Sequence, residues 1–225
     1  MAGKYTRFKE FSCRVPKYLL PLSSRNMLYY VLEPLLAGEA FKNVYLVANK
    51  QDIAFRPQIL DTMAAFGIPA TNLVFIEDTP GQLDTAVTGL THFKATIEGP
   101  VVIHNVDTIL YGRNFADVEG LLSGTSVTCV VDVFRSSNRE YSYVLVQDQN
   151  VSAIVEKRVI SDQASSGCYC FANMEVALKY MALALTKNKH YISESIEEMI
   201  QDNRCVKTSS LAEAQDTVVL GTPEE

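Results

Sequence analysis

A chain of 225 residues, 48% apolar and 20% charged, holds enough material for one large domain with a core and a soluble surface. No apolar run approaches the ~18 residues of a membrane span and no basic-then-apolar leader opens the chain, so no membrane span and a cytoplasmic location are expected. The formal charge of -6 argues against a nucleic-acid partner.

That charge is unevenly spread. Residues 1–25 carry Lys4, Arg7, Lys9, Arg14, Lys17 and Arg25 against Glu10 alone, a local +5 that leaves -11 for the rest. A basic patch on an acidic body suits a small anionic ligand better than a long polyanion. The five cysteines, Cys13, Cys129, Cys168, Cys170 and Cys205, lack CxxC spacing and a nearby histidine cluster. They read as buried free thiols rather than a zinc site or a disulfide framework.

In chain order, SRNMLYYVLEPLLA (24–37) places Leu28, Val31, Leu32, Leu35 and Leu36 on one helical stripe that Gly38 stops. VYLVA (44–48) reads as a buried strand. Residues 53–66 read as a helix broken near Pro57 and closed by Gly67. LVFIE (73–77) is the next strand, a helix opens at Pro80-Gly81, and PVVIH (100–104) is a third apolar run. This alternation predicts an α/β unit with a mostly parallel sheet.

After residue 125 the rhythm changes. SVTCVVDVF, YSYVLVQ and VSAIVEK follow one another closely, with Asp148-Gln149-Asn150 as a hairpin turn. In GCYCFAN, Cys168 and Cys170 share one face of a strand. Helices over 173–186 and 193–202 and a late TVVL strand complete the chain. The expected organisation is a single domain, 1–225, with a nucleotide-binding half (1–124) and an acceptor half (125–225).

Four stretches carry candidate chemistry. The opening combines Gly3, which lets backbone N–H groups approach a phosphate, with Lys4, Thr6 and Arg7, and then Pro16-Lys17. TPGQLDTA (79–86) opens a helix, and Gln82 carries a donor and an acceptor for a base edge. In VVIHNVDTI (101–109), Asp107 lies just past a buried strand, where open α/β sheets bind ligands. A carboxylate there suits Mg²⁺ beside a polyphosphate, with Asn105 to orient it. In IVEKRVISDQASSGCYCF (154–171), Glu156 can accept from hydroxyls, Lys157 can meet a second phosphate, and Gly167 permits close backbone approach. Each stretch has a plain structural reading as well: a solvated basic surface, an ordinary turn, a satisfied sheet residue, a surface ion pair.

Taken together and in order, these stretches resemble the sugar-phosphate nucleotidyltransferases, the nucleoside-diphosphate-sugar pyrophosphorylases of GT-A-like, Rossmann-like fold. AGKYTRF (2–8) and PKYLLPL (16–22) are similar to the family's opening signature, and MLYYVLEPLL to the helix that follows it. PGQLDTA is similar to its nucleobase segment, IHNVDTIL to the strand ending in its metal aspartate, and SAIVEK with SSGCYCF to its sugar-binding pair. LGTPEE (220–225) resembles its closing stretch.

The resemblance spans essentially the whole chain and implies a three-layer αβα fold with a mostly parallel mixed sheet. It implies that Ala2, Gly3, Lys4, Tyr5, Thr6 and the Arg7 side chain hold the NTP phosphates and that Lys17 contacts the α-phosphate. Gly81 and Gln82 would meet the base, with Asn105 beside Asp107, the Mg²⁺ ligand. Glu156, Lys157 and Gly167 would line the sugar phosphate. The implied reaction transfers an NMP from an NTP to a sugar 1-phosphate or similar phosphorylated headgroup, with release of pyrophosphate, for surface polysaccharide or capsule. Arg7, Lys17 and Asp107 would be its catalytic set.

Three features depart from the family pattern. Tyr5 stands at the second glycine of the loop, Val219 stands where several members have a second metal aspartate, and only Met1 precedes the AG in place of a short apolar strand. Asp216 or Glu194 would have to substitute for the missing carboxylate, or only one carboxylate ligand remains, and whether the start lies upstream of Met1 stays open. These departures motivate a second reading, a nucleotidyltransferase-like binding or regulatory module without catalysis. A nucleotide-sugar-dependent glycosyltransferase is a third, against which the PK lysine and the lack of D-x-D count. The nucleobase, the sugar and the oligomeric state stay open.

Overall fold

The computed structural model describes residue 8 and residues 15–38, 40–123 and 125–223. Ala2, Gly3, Lys4, Tyr5, Thr6 and Arg7 therefore lie outside the described residues, as does Cys13. A 3₁₀ turn (Lys17–Leu19) and a tight hairpin, β1 (Pro21–Leu22) and β2 (Arg25–Asn26), lead into helix α1 (Met27–Leu36). Asn26 caps α1 by accepting the Tyr29 N–H at 2.9 Å, and Met27, Leu28, Val31 and Leu32 form its buried stripe.

Strand β3 (Leu46–Asn49) passes through a 3₁₀ stretch (Lys50–Phe55) into α2 (Arg56–Ala64). Pro57 sits in the first turn of α2, where no intrahelical bond needs its missing N–H, so the expected break falls there. Strand β4 (Leu73–Ile76) then pairs parallel with β3, and α3 (Gln82–His92) follows. Next come β5 (Val101–His104), β6 (Thr108–Leu110) and α4 (Phe115–Leu122).

The second half supplies β7 (Val127–Arg135), β8 (Tyr143–Gln147), β9 (Asn150–Val155), β10 (Gln163–Phe171), α5 (Met174–Thr186), α6 (Ile192–Gln201), β11 (Cys205–Thr208) and β12 (Thr217–Val219). As the sequence suggested, the β8–β9 turn places Asp148 and Gln149 at φ 46° and 65°, the positive values a two-residue hairpin needs.

The class is the expected one, a mixed sheet between helical layers, but the directions differ from the first-half rhythm. Among the described residues, β3–β4 and β7–β11 are parallel, whereas β10 runs antiparallel to β5, β7 and β8, and β8 to β9. The reason is topological: β10 returns through the middle of the sheet after a hairpin and so opposes its neighbours. Its ladder with β7 jumps from Ser165↔Val133 to Tyr169↔Val131, a bulge that carries Ser166, Gly167 and Cys168.

Strands β7 and β10 are buried nearly throughout. Val131, Val133, Tyr169 and Phe171 pack with Leu83, Tyr180, Met181, Ile196 and Met199 of α3, α5 and α6. Val130, Cys168 and Cys170 pack on the opposite face with Phe115, Val118 and Leu122 of α4. A separate cluster of Tyr18, Leu28, Leu32, Leu46, Ile59 and Met63 joins α1, α2 and β3. Cys129, Cys168 and Cys170 are buried free thiols, as read from the sequence, whereas Cys205 is free but only half-buried at the start of β11; burial pushes the Cys129 thiol up. No described helix is long and apolar enough to cross a membrane.

Candidate functional site

A cleft of about 280 Å³ opens beyond the C-terminal ends of β5 and β9. It gathers Gln82, Asn105, Asp107, Glu156, Lys157 and Gly167, residues drawn from three separated stretches of sequence. The two other described candidates join through one of these. Lys17 Nζ donates to Asp107 Oδ2, and Gly81 is the N-cap of the helix that Gln82 opens.

Asp107 sits in the short loop between β5 and β6, and its backbone carbonyl accepts the Leu220 N–H at 2.8 Å. Lys17 reaches it from the 3₁₀ turn after Pro16, which the buried Tyr18 and Leu19 anchor in the core. Tyr18 also donates to the buried Asp52 at 2.8 Å. Both partners of the Lys17–Asp107 pair are largely sequestered, with side-chain exposures of 16% and 19%. An ammonium and a carboxylate held so closely form a polar pair that an arriving polyanion and its counterion can split between them.

Asn105 and Gly167 meet across the cleft floor. The Asn105 N–H donates to the Gly167 carbonyl at 3.2 Å. Gly167 lies at φ 80°, and a Cβ built there would stand 2.3 Å from Asn105 Nδ2. Both conformation and space demand glycine at this bulge.

On the far wall, Lys157 occupies the left-handed region at φ 53°, uncommon for a side-chain-bearing residue. Its N–H donates to the Tyr141 carbonyl at 3.1 Å, and Nζ lies 5.5 Å over the Tyr191 ring. Glu156 accepts from Ser193 Oγ at 2.7 Å. Burial pushes the Glu156 carboxyl above its ordinary range, while Ser193 and Lys157 pull it back in part. Gly81 lets α3 seat closely on the loop before α6: a Cβ there would lie 2.5 Å from His190 Cβ.

The same cleft contains residues that no motif flagged: Glu140, Tyr141, Ser142 and Tyr191. They come from connections without a chemical pattern, and only the fold brings them in. Ser165 and Ser166 lay inside the quoted SSGCYCF stretch and line the cleft beside Gly167.

Val219 lines the cleft, and neither suggested substitute carboxylate does. Glu194 instead accepts the N–H groups of His190 and Tyr191, both at 2.8 Å. At Asp216 it is the backbone carbonyl that is engaged, by the Tyr111 N–H and by Arg113. No group of three His, Cys, Asp or Glu able to hold a metal occurs among the described residues. The lone Asp107 carboxylate nonetheless fits Mg²⁺, which usually takes one or two carboxylates and completes its shell with substrate phosphates and water. His104 behaves as a sheet residue. Its Nε2 pairs with the Thr108 carbonyl at 2.8 Å, and the buried Cys168 thiol interacts with the same ring.

The family model for nucleotidyl transferases matches residues 1–213. The chain belongs to the nucleotidyl transferase family. Among solved structures it is similar to the nucleoside-diphosphate-sugar pyrophosphorylase from Vibrio cholerae, at TM-score 0.86 and 21% identity over 100% of this chain and 95% of that one. It is similar to the inositol-1-phosphate CTP transferase from T. maritima, at TM-score 0.73 and 14% identity over 99% and 87%. A putative glucose-1-phosphate thymidylyltransferase from Bacillus anthracis, in complex with a sucrose, aligns at TM-score 0.73 and 15% identity over 99% and 88%. These likenesses establish the GT-A-like nucleotidyltransferase fold. No curated protein matches the sequence.

Proposed function

We propose that this nucleotidyl transferase moves an NMP from an NTP onto a sugar 1-phosphate, or a similar phosphorylated headgroup, in the cytoplasm, for surface polysaccharide or capsule synthesis. The observation that carries this reading is the pairing of functions in one cleft. Asp107, paired with Lys17, lines the same cleft as Glu156, Lys157 and Gly167. In this reading the described part of residues 1–124 supplies the nucleotide wall and residues 125–223 supply most of the acceptor wall.

An oxygen of the sugar 1-phosphate attacks the α-phosphorus; the bond from that phosphorus to the bridging oxygen of the β-phosphate breaks, and pyrophosphate carries the electron pair away. No protein nucleophile is needed. Catalysis consists of bringing two anions into line and neutralising their charge. Lys17 donates to the α-phosphate, and the Asp107 carboxylate would hold Mg²⁺. When bound, Mg²⁺ supplies the charge neutralisation that one lysine cannot. Ala2, Gly3, Lys4, Tyr5, Thr6 and Arg7 are assigned to the triphosphate on the resemblance of their motif. Gln82, held at the start of α3 by Gly81, reads the base, and Asn105 orients Asp107. Glu156 accepts from acceptor hydroxyls, Lys157 meets the acceptor phosphate, and Gly167 lets the acceptor approach the backbone.

The test is product identity. With Mg²⁺, a panel of NTPs and a panel of sugar 1-phosphates and other phosphorylated headgroups, mass spectrometry should find one NDP-linked product. A complete panel without product would sink the reading. Val219 favours one alternative, a binding module that holds a nucleotide without turning it over, because an apolar side chain lines the cleft where the resemblance implies a carboxylate. Calorimetric nucleotide binding by a chain that forms no product would select it.

A further inference from the structure

The connection between α5 and α6, together with the first turn of α6, bonds to both walls of the cleft. On the nucleotide side, the His190 carbonyl accepts the Leu83 N–H at 3.0 Å, and His190 Nδ1 pairs with Asp84 Oδ2 at 2.9 Å. Gly81 leaves room for this seat. On the acceptor side, Ser193 donates to Glu156, and Tyr191 offers its ring to Lys157. The first turn of α3, next to Gln82, and Glu156 are thus tied to one short segment, 190–193, although 72 positions separate Asp84 from Glu156 in the sequence.

The segment is anchored against movement. Glu194 takes the N–H groups of His190 and Tyr191. Glu198, with its side chain 2% exposed, takes the ammonium groups of Lys187 and Lys189, and Lys189 also meets Glu197 at 2.6 Å. A connector tied down this densely keeps a fixed spacing between whatever its two sides hold. Ser193 is itself buried, and Glu156 Oε2 accepts its hydroxyl proton, which fixes the orientation of that carboxylate.

We propose that residues 190–193 register the two substrates against each other, with Ser193 a positioning residue for Glu156 and His190 a positioning residue for the first turn of α3, which carries Gln82, an inference that rests on the nucleotide-and-acceptor reading of the cleft. The two contacts divide the work. Ser193 acts on acceptor affinity, and His190 acts on nucleotide affinity. Lys157 favours the Glu156 anion and Glu194 opposes it, and Tyr169, Glu140 and Asp107 share the same cleft. The Ser193 hydrogen bond is the largest of the influences that favour the Glu156 anion, so its removal has a distinct signature.

Steady-state kinetics on the full chain, with Ser193→Ala, Ser193→Thr and His190→Asn, provide one arm of the test. Ser193→Ala should raise the acceptor KM by about tenfold, more than it lowers kcat, and should spare the nucleotide KM; a charge-assisted hydrogen bond has roughly that worth. Ser193→Thr keeps the hydroxyl and should restore the acceptor KM. His190→Asn puts an amide where the imidazole Nδ1 stood and should stay near wild type, whereas His190→Ala should raise the nucleotide KM selectively. The second arm needs no turnover: carbon-13 NMR of glutamate-labelled protein should show the Glu156 carboxyl titrating at higher pH in Ser193→Ala and returning in Ser193→Thr. Parallel rises in both KM values, or an unmoved Glu156 titration in an active protein, would overturn the positioning roles alone. A wild-type chain without turnover would overturn the reading of the cleft and the registering role with it.

Discussion

Lys17 and Asp107 stand 90 positions apart, yet the lysine ammonium lies on the carboxylate inside a site sheltered from water. Lys17→Ala removes the cation assigned to the α-phosphate and should lower kcat by about 10²–10³-fold, the usual loss for a preorganised charge at a transition state. The Asp107 carboxylate then loses its partner, so a thermal melt should fall by the equivalent of about 1–3 kcal/mol without abolishing the folded state. Glu156 makes the opposite point. Burial holds its folded-state carboxyl above the ordinary range, so ionising it costs more in the folded chain than in the unfolded one. That penalty is absent below the unfolded pKa and grows as pH rises through the folded one. Glu156→Gln should therefore raise the melting temperature at neutral pH while weakening acceptor binding, and melts at pH 4 and pH 8 should show the gain only at pH 8.

At the scale of elements, two glycines govern how the walls of the cleft fit. Gly167→Ala meets both a left-handed backbone and the Asn105 amide 2.3 Å away. It should cost about 1–3 kcal/mol in denaturant unfolding and raise the acceptor KM, because the bulge must move. The α5–α6 connection is held electrostatically instead. Burial pushes the Glu198 carboxyl up, but Lys187 and Lys189 outweigh it and hold it below the ordinary range. Its stabilising contribution is present above the unfolded pKa and is lost as pH falls through the lowered folded value. Acid unfolding of the wild type should steepen below the ordinary carboxylate range, and Glu198→Gln should flatten that part of the profile.

What the sequence made legible divides along the same line. Helices α1, α3, α5 and α6 and the β8–β9 turn follow from local periodicity, caps and turn residues, and they lie where those signals put them. The direction of β10 does not, because period-two burial specifies a strand and not its neighbours. The quoted motifs led to Gln82, Asn105, Asp107, Glu156 and Lys157 because each lies at or just past the end of an element, and to Gly167 because it marks the bulge inside β10. Glu140, Tyr141 and Tyr191 come from connections, and Ser193 acts through Glu156. None of these has a local signature, since their role is created by long-range contact.

For the molecule as a whole, the proposed reading sets a nucleotide wall and an acceptor wall around one cleft. A family model over residues 1–213 and a fold shared with nucleotidyltransferases fix the class. The central claim is that both walls act in a single displacement. Its most direct test is pyrophosphate release measured with NTP alone, sugar 1-phosphate alone and both together, in Mg²⁺, for the wild type and Lys17→Ala. Release is expected only with both substrates, with a loss of about 10²-fold or more in the variant. Release from NTP alone at the same rate, or an undiminished rate in Lys17→Ala, would contradict it.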